Sequence, residues 1–179
     1  MNIVIRAGIL LIITTLSVSS ETWKDDVRGW YIGIDEKIGN DCYMHRSFEN
    51  GTQLRIILDS EYAALFFLIG NRNWRSLEIG ELYPIEIQFD SRTPWAGDGN
   101  AFAWDGGING LILNIEEGEA FDFIEELQQM QNVTVRYNGD VIANLSLKGS
   151  KAAFNEVINC FFTVYEVNQN TVSDPFSSN

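Results

Sequence analysis

The chain is poor in the residues that most metal and nucleophile chemistry needs. Its 179 residues include one histidine, His45, and two cysteines, Cys42 and Cys160. Zinc prefers thiolate and imidazole ligands, so three such residues, two of them candidates for pairing with each other, leave no zinc set. No Cys-x-x-Cys is present, nor a glycine-rich phosphate loop, a nucleophile elbow or a His-Glu-x-x-His. Basic residues are scarce as well: 12 Lys and Arg stand against 25 Asp and Glu, a formal charge of −13. Such a field repels nucleic acid phosphates and anionic headgroups, so no nucleic acid partner is expected. Basic proteins or cations suit it better, although the same acidity also serves plain solubility. No stretch approaches about 18 uninterrupted apolar residues, so no membrane-spanning helix is expected.

What is present begins with the first twenty residues. Arg6 supplies one positive charge, 7–13 are apolar, and Thr14, Thr15, Ser17, Ser19 and Ser20 follow. This is the layout of a secretory signal peptide, too short in its apolar part to cross a bilayer. The expectation is a leader over 1–20 and an exported, soluble protein beginning near Ser20 or Glu21. A single globular domain over 21–165 and a mobile polar tail over 166–179 are expected to follow. In an exporting compartment an even cysteine pair reads first as a disulfide, with two free buried thiols as the competing reading. A Cys42–Cys160 bond closes about 118 residues of chain, for which the chain-entropy model gives about 4–5 kcal/mol less any strain.

Hydrophobic patterning predicts an α+β fold: a mostly antiparallel, curved sheet or partial barrel with two covering helices. Asn50-Gly51 between 42–48 and 53–58, and Asn138-Gly139 between 133–137 and 141–147, mark two hairpins, because Asn-Gly readily takes the positive φ of tight turns. Residues 63–69 form a continuous apolar run, read as a strand buried on both faces, and 83–89 alternate as a half-buried strand. A short extended piece is expected at 30–35 and another at 111–115. Apolar residues recur at three- and four-residue steps over 118–131, and again over 151–160 with Ser150 suited to cap the second helix. Phe66–Ile69, Ile85, Ile87, Phe121, Ile124, Leu127, Phe154 and Ile158 are the expected core. The stretch 91–110, rich in glycine and holding Pro94, reads as a long loop around a short extended piece at 101–104.

That loop is the expected site, since long irregular loops on rigid scaffolds often carry function. Trp74, Trp95, Asp98, Trp104 and Asp105 are the candidate binding residues. Tryptophans on loops stack on sugars or anchor protein interfaces, and they also plug the ends of sheets. Asp98-Gly99-Asn100 with Asp105 offers oxygen ligands for calcium, but the rest of a calcium loop is missing and turn chemistry explains the same residues. A glycosidase needs two carboxylates across a sugar, and Asp98, Asp105 and Glu116 are candidates that no spacing places across a cleft. His45 lies three residues from Cys42, so in a regular strand the two point to opposite faces and form no catalytic pair. No catalytic residue, no metal ligand and no cofactor is assigned.

The run Leu145-Ser146-Leu147-Lys148-Gly149-Ser150, with Ala152-Ala153 and then Cys160, resembles the C-terminal end of small exported alphaproteobacterial proteins. Asn73-Trp74-Arg75-Ser76-Leu77, Tyr83 and Phe89-Asp90 are similar to that group in order and spacing. The chain is similar in part to the invasion-associated locus B proteins, whose end carries a comparable Leu-x-Gly before an alanine-rich helix, and departs from them in its acidity and its single cysteine pair. The resemblance implies an envelope or secreted location and no defined activity. Against that bacterial background the three glycosylation sequons, at Asn50, Asn132 and Asn144, read as coincidental.

Together these readings lead to an exported, non-catalytic protein that binds a protein partner, with an inhibitor or immunity-type protein for a basic enzyme as the specific form. An envelope glycan-binding module using Trp74, Trp95 and Trp104 is the alternative, and a carboxylate hydrolase comes last.

Overall fold

The computed structural model describes residues 21–35, 41–59, 64–104 and 106–171, with side chains described up to Tyr165. The expected leader over 1–20, Asp105 and the last eight residues of the expected tail lie outside the described residues. Among the described residues ten strands and two helices follow one another: β1 (Glu21–Lys24), β2 (Tyr31–Asp35), β3 (Asp41–Ser47), β4 (Thr52–Leu58), β5 (Leu65–Asn71), β6 (Leu82–Phe89), β7 (Trp95–Trp104), β8 (Ile108–Ile115), α1 (Glu117–Gln129), β9 (Asn132–Tyr137), β10 (Asp140–Ser146) and α2 (Ser150–Thr171). All strands join one antiparallel sheet in the order β1-β2-β3-β4-β5-β8-β7-β6-β9-β10. The fold class is α+β as expected, and the sheet is not closed into a barrel: β1 and β10 remain its edges.

Both Asn-Gly hairpins form. In the β9–β10 turn Asn138 and Gly139 both have positive φ, 52° and 85°, which matches the right-handed twist of the flanking strands. In the β3–β4 turn Gly51 has φ 80°, and the Asn50 side chain accepts the Thr52 N–H at 3.0 Å. β5 sits mid-sheet and is buried on both faces, as its unbroken apolar run predicts.

One face of the sheet carries the main core. Ile32, Met44, Ile56, Phe67, Leu113, Ile87, Val135 and Leu145 line it strand by strand, and Phe123 and Leu127 of α1 with Phe154 and Val157 of α2 complete it. The sheet curls enough for its distant parts to touch. The Lys148 carbonyl, just past β10, accepts the Trp30 indole N–H at 3.1 Å and an Arg46 guanidinium N–H at 2.9 Å. Gly149, at φ 90°, fits there because a Cβ would stand 2.8 Å from the Arg28 carbonyl oxygen. The Lys-Gly-Ser segment of the sequence resemblance is therefore a structural corner. Ser150 does not cap α2 as expected: its buried hydroxyl donates to the Leu127 carbonyl at 2.6 Å and ties α2 to the last turn of α1. Cys42 of β3 and Cys160 of α2 are disulfide-bonded, with Cα atoms 6.0 Å apart, which fastens that helix over the core.

Three sequence expectations need correction. The glycine-rich stretch is not a loop but a ten-residue strand, β7, hairpinned to β8. Its glycines mark close packing: a Cβ on Gly97 would meet Leu113 Cδ1 at 2.8 Å, and one on Gly110 of β8 would meet the Ile69 carbonyl oxygen at 2.7 Å. Phe121 is not core; it is 75% exposed, and Phe123 is the buried aromatic of α1. The second helix does not stop near 160 but runs to Thr171.

The opposite sheet face holds a smaller aromatic cluster. Tyr43, Ile57, Leu68, Trp104 and Ile108 pack there, with Tyr31, Phe66, Phe102 and Ile112 half-buried around them. The Arg55 guanidinium lies 4.2 Å from the Tyr43 ring centroid and 4.9 Å from that of Trp104, and bonds Asp35 at 3.2 Å. These rings settle over glycines: a Cβ on Gly33 would overlap the Tyr43 ring, and one on Gly70 would press on Ile108.

Candidate functional site

The candidate binding residues do not converge on one loop. Trp104 is only 9% exposed and belongs to the aromatic cluster on the outer face. Its ring lies 5.8 Å from that of His45, edge to face. Burial, and then the charge of Arg55, push the His45 pKa down to about 4, so this imidazole is neutral at pH 7. Its Nε2 lies 3.2 Å from the Ser47 hydroxyl, and its buried Nδ1 has no hydrogen-bond partner among the described residues. Asp98 sits in the middle of β7, exposed, beside a shallow groove of about 470 Å³ that Pro84, Glu86, Gly97 and Arg136 also line. Glu116 precedes the first turn of α1. Among the described residues no three His, Cys, Asp or Glu side chains stand close enough to hold a metal ion.

Trp95 opens β7 at the end of the sheet covered by α1. Its ring packs edge to face on Phe123 at 5.4 Å, and its indole N–H donates to Glu126 Oε2 at 2.9 Å. Beyond it lies an acidic groove of about 340 Å³, lined by Arg92, Trp95, Asp122, Glu125, Glu126 and Gln129. The helix phase explains this surface. Ala120, Phe123 and Leu127 turn into the core, so Phe121 turns outward, with Glu117 and Glu125 one helical turn before and after it and Asp122 next to it. The acidic first turn, with Glu117 and Glu119, also suits the positive end of the helix dipole.

Trp74 lies at the other end of the sheet, in the segment joining β5 to β6. Its backbone is pinned on both sides: its N–H donates to the Asn71 carbonyl at 3.0 Å and its carbonyl accepts the Asn109 side-chain amide at 3.0 Å. Asn73, Trp74, Ser76, Leu77, Tyr83, Leu111, Tyr137 and Ile142 surround a mostly apolar pocket of about 210 Å³. Tyr83 and Tyr137 meet edge to face at 5.6 Å, and the Tyr83 hydroxyl accepts the Glu78 N–H at 2.9 Å, which holds the segment over the pocket. The volume is below the usual range of small-molecule sites and suits one bulky side chain or sugar ring. In the sequence Tyr83 stands out only for its strand and its place in the resemblance, and Tyr137 and Ile142 do not stand out, because three neighbouring strands bring the three together.

The fold is similar to that in the crystal structure of invasion associated protein B from Bartonella henselae. The two agree with a TM-score of 0.53 at 12% sequence identity, over 82% of this chain and 99% of that one. The fold is shared with invasion associated protein B. At this identity the likeness concerns the fold alone, and it agrees with the resemblance carried by the C-terminal residues. No protein-family model and no curated protein sequence matches the chain. Among the described residues no helix is long and apolar enough to cross a membrane, and the disulfide is consistent with an extracytoplasmic location.

Proposed function

We propose that the protein is exported to the periplasm or beyond the cell, performs no catalysis, and binds a basic protein through the outward face of α1. An inhibitor or immunity-type protein for a cationic envelope enzyme is the specific form of this reading. The observation that carries it is Phe121, 75% exposed on a helix whose surrounding positions are acidic. Large aromatics are enriched at interface centres, and carboxylates around them steer a basic partner and add specificity. The acidic groove beside Trp95 continues that surface. The net charge of −13 supports the same partner chemistry.

The test is retention of periplasmic proteins on immobilised protein, compared with Phe121→Asp and Glu125→Lys variants. A basic partner retained by the parent, lost by both variants and released as salt rises from about 0.05 to 0.5 M is the expected result. Equal retention by parent and variants, or retention indifferent to salt, removes this face as the binding surface.

A further inference from the structure

The two edges of the sheet are not alike. β1 has four residues, with Lys24 at its end paired to Glu156 at 2.7 Å. Short strands and lysines are the usual means of keeping an edge from pairing with foreign chains. β10 has seven residues, Asp140–Ser146, without lysine or proline, and among the described residues it pairs only with β9. A bulge between Val141 and Ala143, itself a feature that discourages edge pairing, interrupts it at Ile142 and leaves 143–146 as its regular stretch. Val141, on this edge strand, is 55% exposed.

The pocket beside Trp74 opens against that same strand. Tyr83 of β6, Tyr137 of β9 and Ile142 of β10 line it from three successive strands, so the row of pocket residues runs up to the open edge and stops there. A strand added beside β10 would place one of its side chains next in that row, beside Ile142 and under Trp74. Cross-strand neighbours on one face are close enough for such contact. Glu78, Glu81 and Asp140 are exposed at this end of the sheet, and so are Arg72 and Arg75 on either side of Trp74, so the charge there is mixed and the apolar pocket rather than charge selects the inserted side chain.

We infer that the β10 edge and the Trp74 pocket form one site for an extended segment of a protein partner, which adds to the sheet as an eleventh strand and seats a bulky apolar side chain in the pocket. Main-chain hydrogen bonds along the edge supply affinity and the pocket supplies selectivity. The inference rests on the reading of the protein as a partner-binding molecule, but it uses the end of the sheet away from α1, so either surface can fail without the other.

Synthetic peptides with lysine at each end, alternating Thr and Val between, and Trp, Phe, Leu or Ala at one inward position test it by fluorescence anisotropy with the whole protein. The Trp, Phe or Leu peptide binds, and the Ala peptide binds about tenfold more weakly. Bound peptide slows amide exchange across 140–146, and methylation of alternate peptide nitrogens abolishes binding. Trp74→Ala and Val141→Lys proteins, checked as folded by circular dichroism, each bind about tenfold more weakly, while Phe121→Asp binds as the parent does. Absence of binding by every peptide overturns the inference, as does unchanged binding by the methylated peptides or protection away from β10. Saturable quenching of Trp74 by chitotetraose without peptide binding also overturns it and makes the pocket a sugar site.

Discussion

Phe121 and Phe123 stand two positions apart on α1 and have opposite fates. Phe123 is fully buried, touching the rings of Phe67, Phe89 and Trp95 edge to face, so Phe123→Ala should destabilise by about 3–5 kcal/mol. Phe121→Ala should leave stability within about 0.5 kcal/mol; urea denaturation of the two variants separates them. His45 gives a pH signature. Its folded pKa of about 4 is below the ordinary imidazole value of 6.5, so the unfolded chain binds the extra proton between these values. The contribution is complete above about 6.5 and is lost as pH falls toward 4. The urea midpoint of the parent should therefore fall from pH 6.5 to 5, ahead of most carboxylates, and His45→Gln should flatten that slope. The sequence reading places Phe121 in the core, and the structure puts Phe123 there instead, because either phenylalanine satisfies the helical period. Only the surface that the sheet presents decides which one is covered.

At the scale of elements, local chemistry was readable and tertiary contact was not. The Asn-Gly turns impose their own backbone, and the alternation at Ile85, Ile87 and Phe89 sets a strand face without outside help. β7 gives the contrary case. Gly97 and Gly99 suggest a loop until their neighbours are known, since Leu113 and Leu111 of β8 occupy the space that side chains would take. Gly110→Ala should accordingly cost about 1–3 kcal/mol, because the added methyl meets backbone at Ile69 that cannot step aside; a thermal melt checks it. The candidate sites follow the same division. Trp74 is visible as a tryptophan in a polar segment, but its companions Tyr83, Tyr137 and Ile142 belong to three strands whose adjacency follows from strand order. The polar composition after Val164 hid the continuation of α2 to Thr171.

At the scale of the whole molecule, the parts of the sheet are gathered by the corner at Lys148 and by the disulfide from β3 to α2. The bonded cysteines are 118 positions apart, for which chain entropy gives about 4–5 kcal/mol of stabilisation. A Cys42→Ala, Cys160→Ala protein should lose up to about that amount in urea denaturation, with the early loss of amide protection in α2. The pairing also bears on survival where proteases are present. Every turn from β3 to the start of α2 lies between the two sulfurs. A single peptide-bond cut in any of them leaves two fragments that are still one covalent molecule, held in register until a reductant separates them.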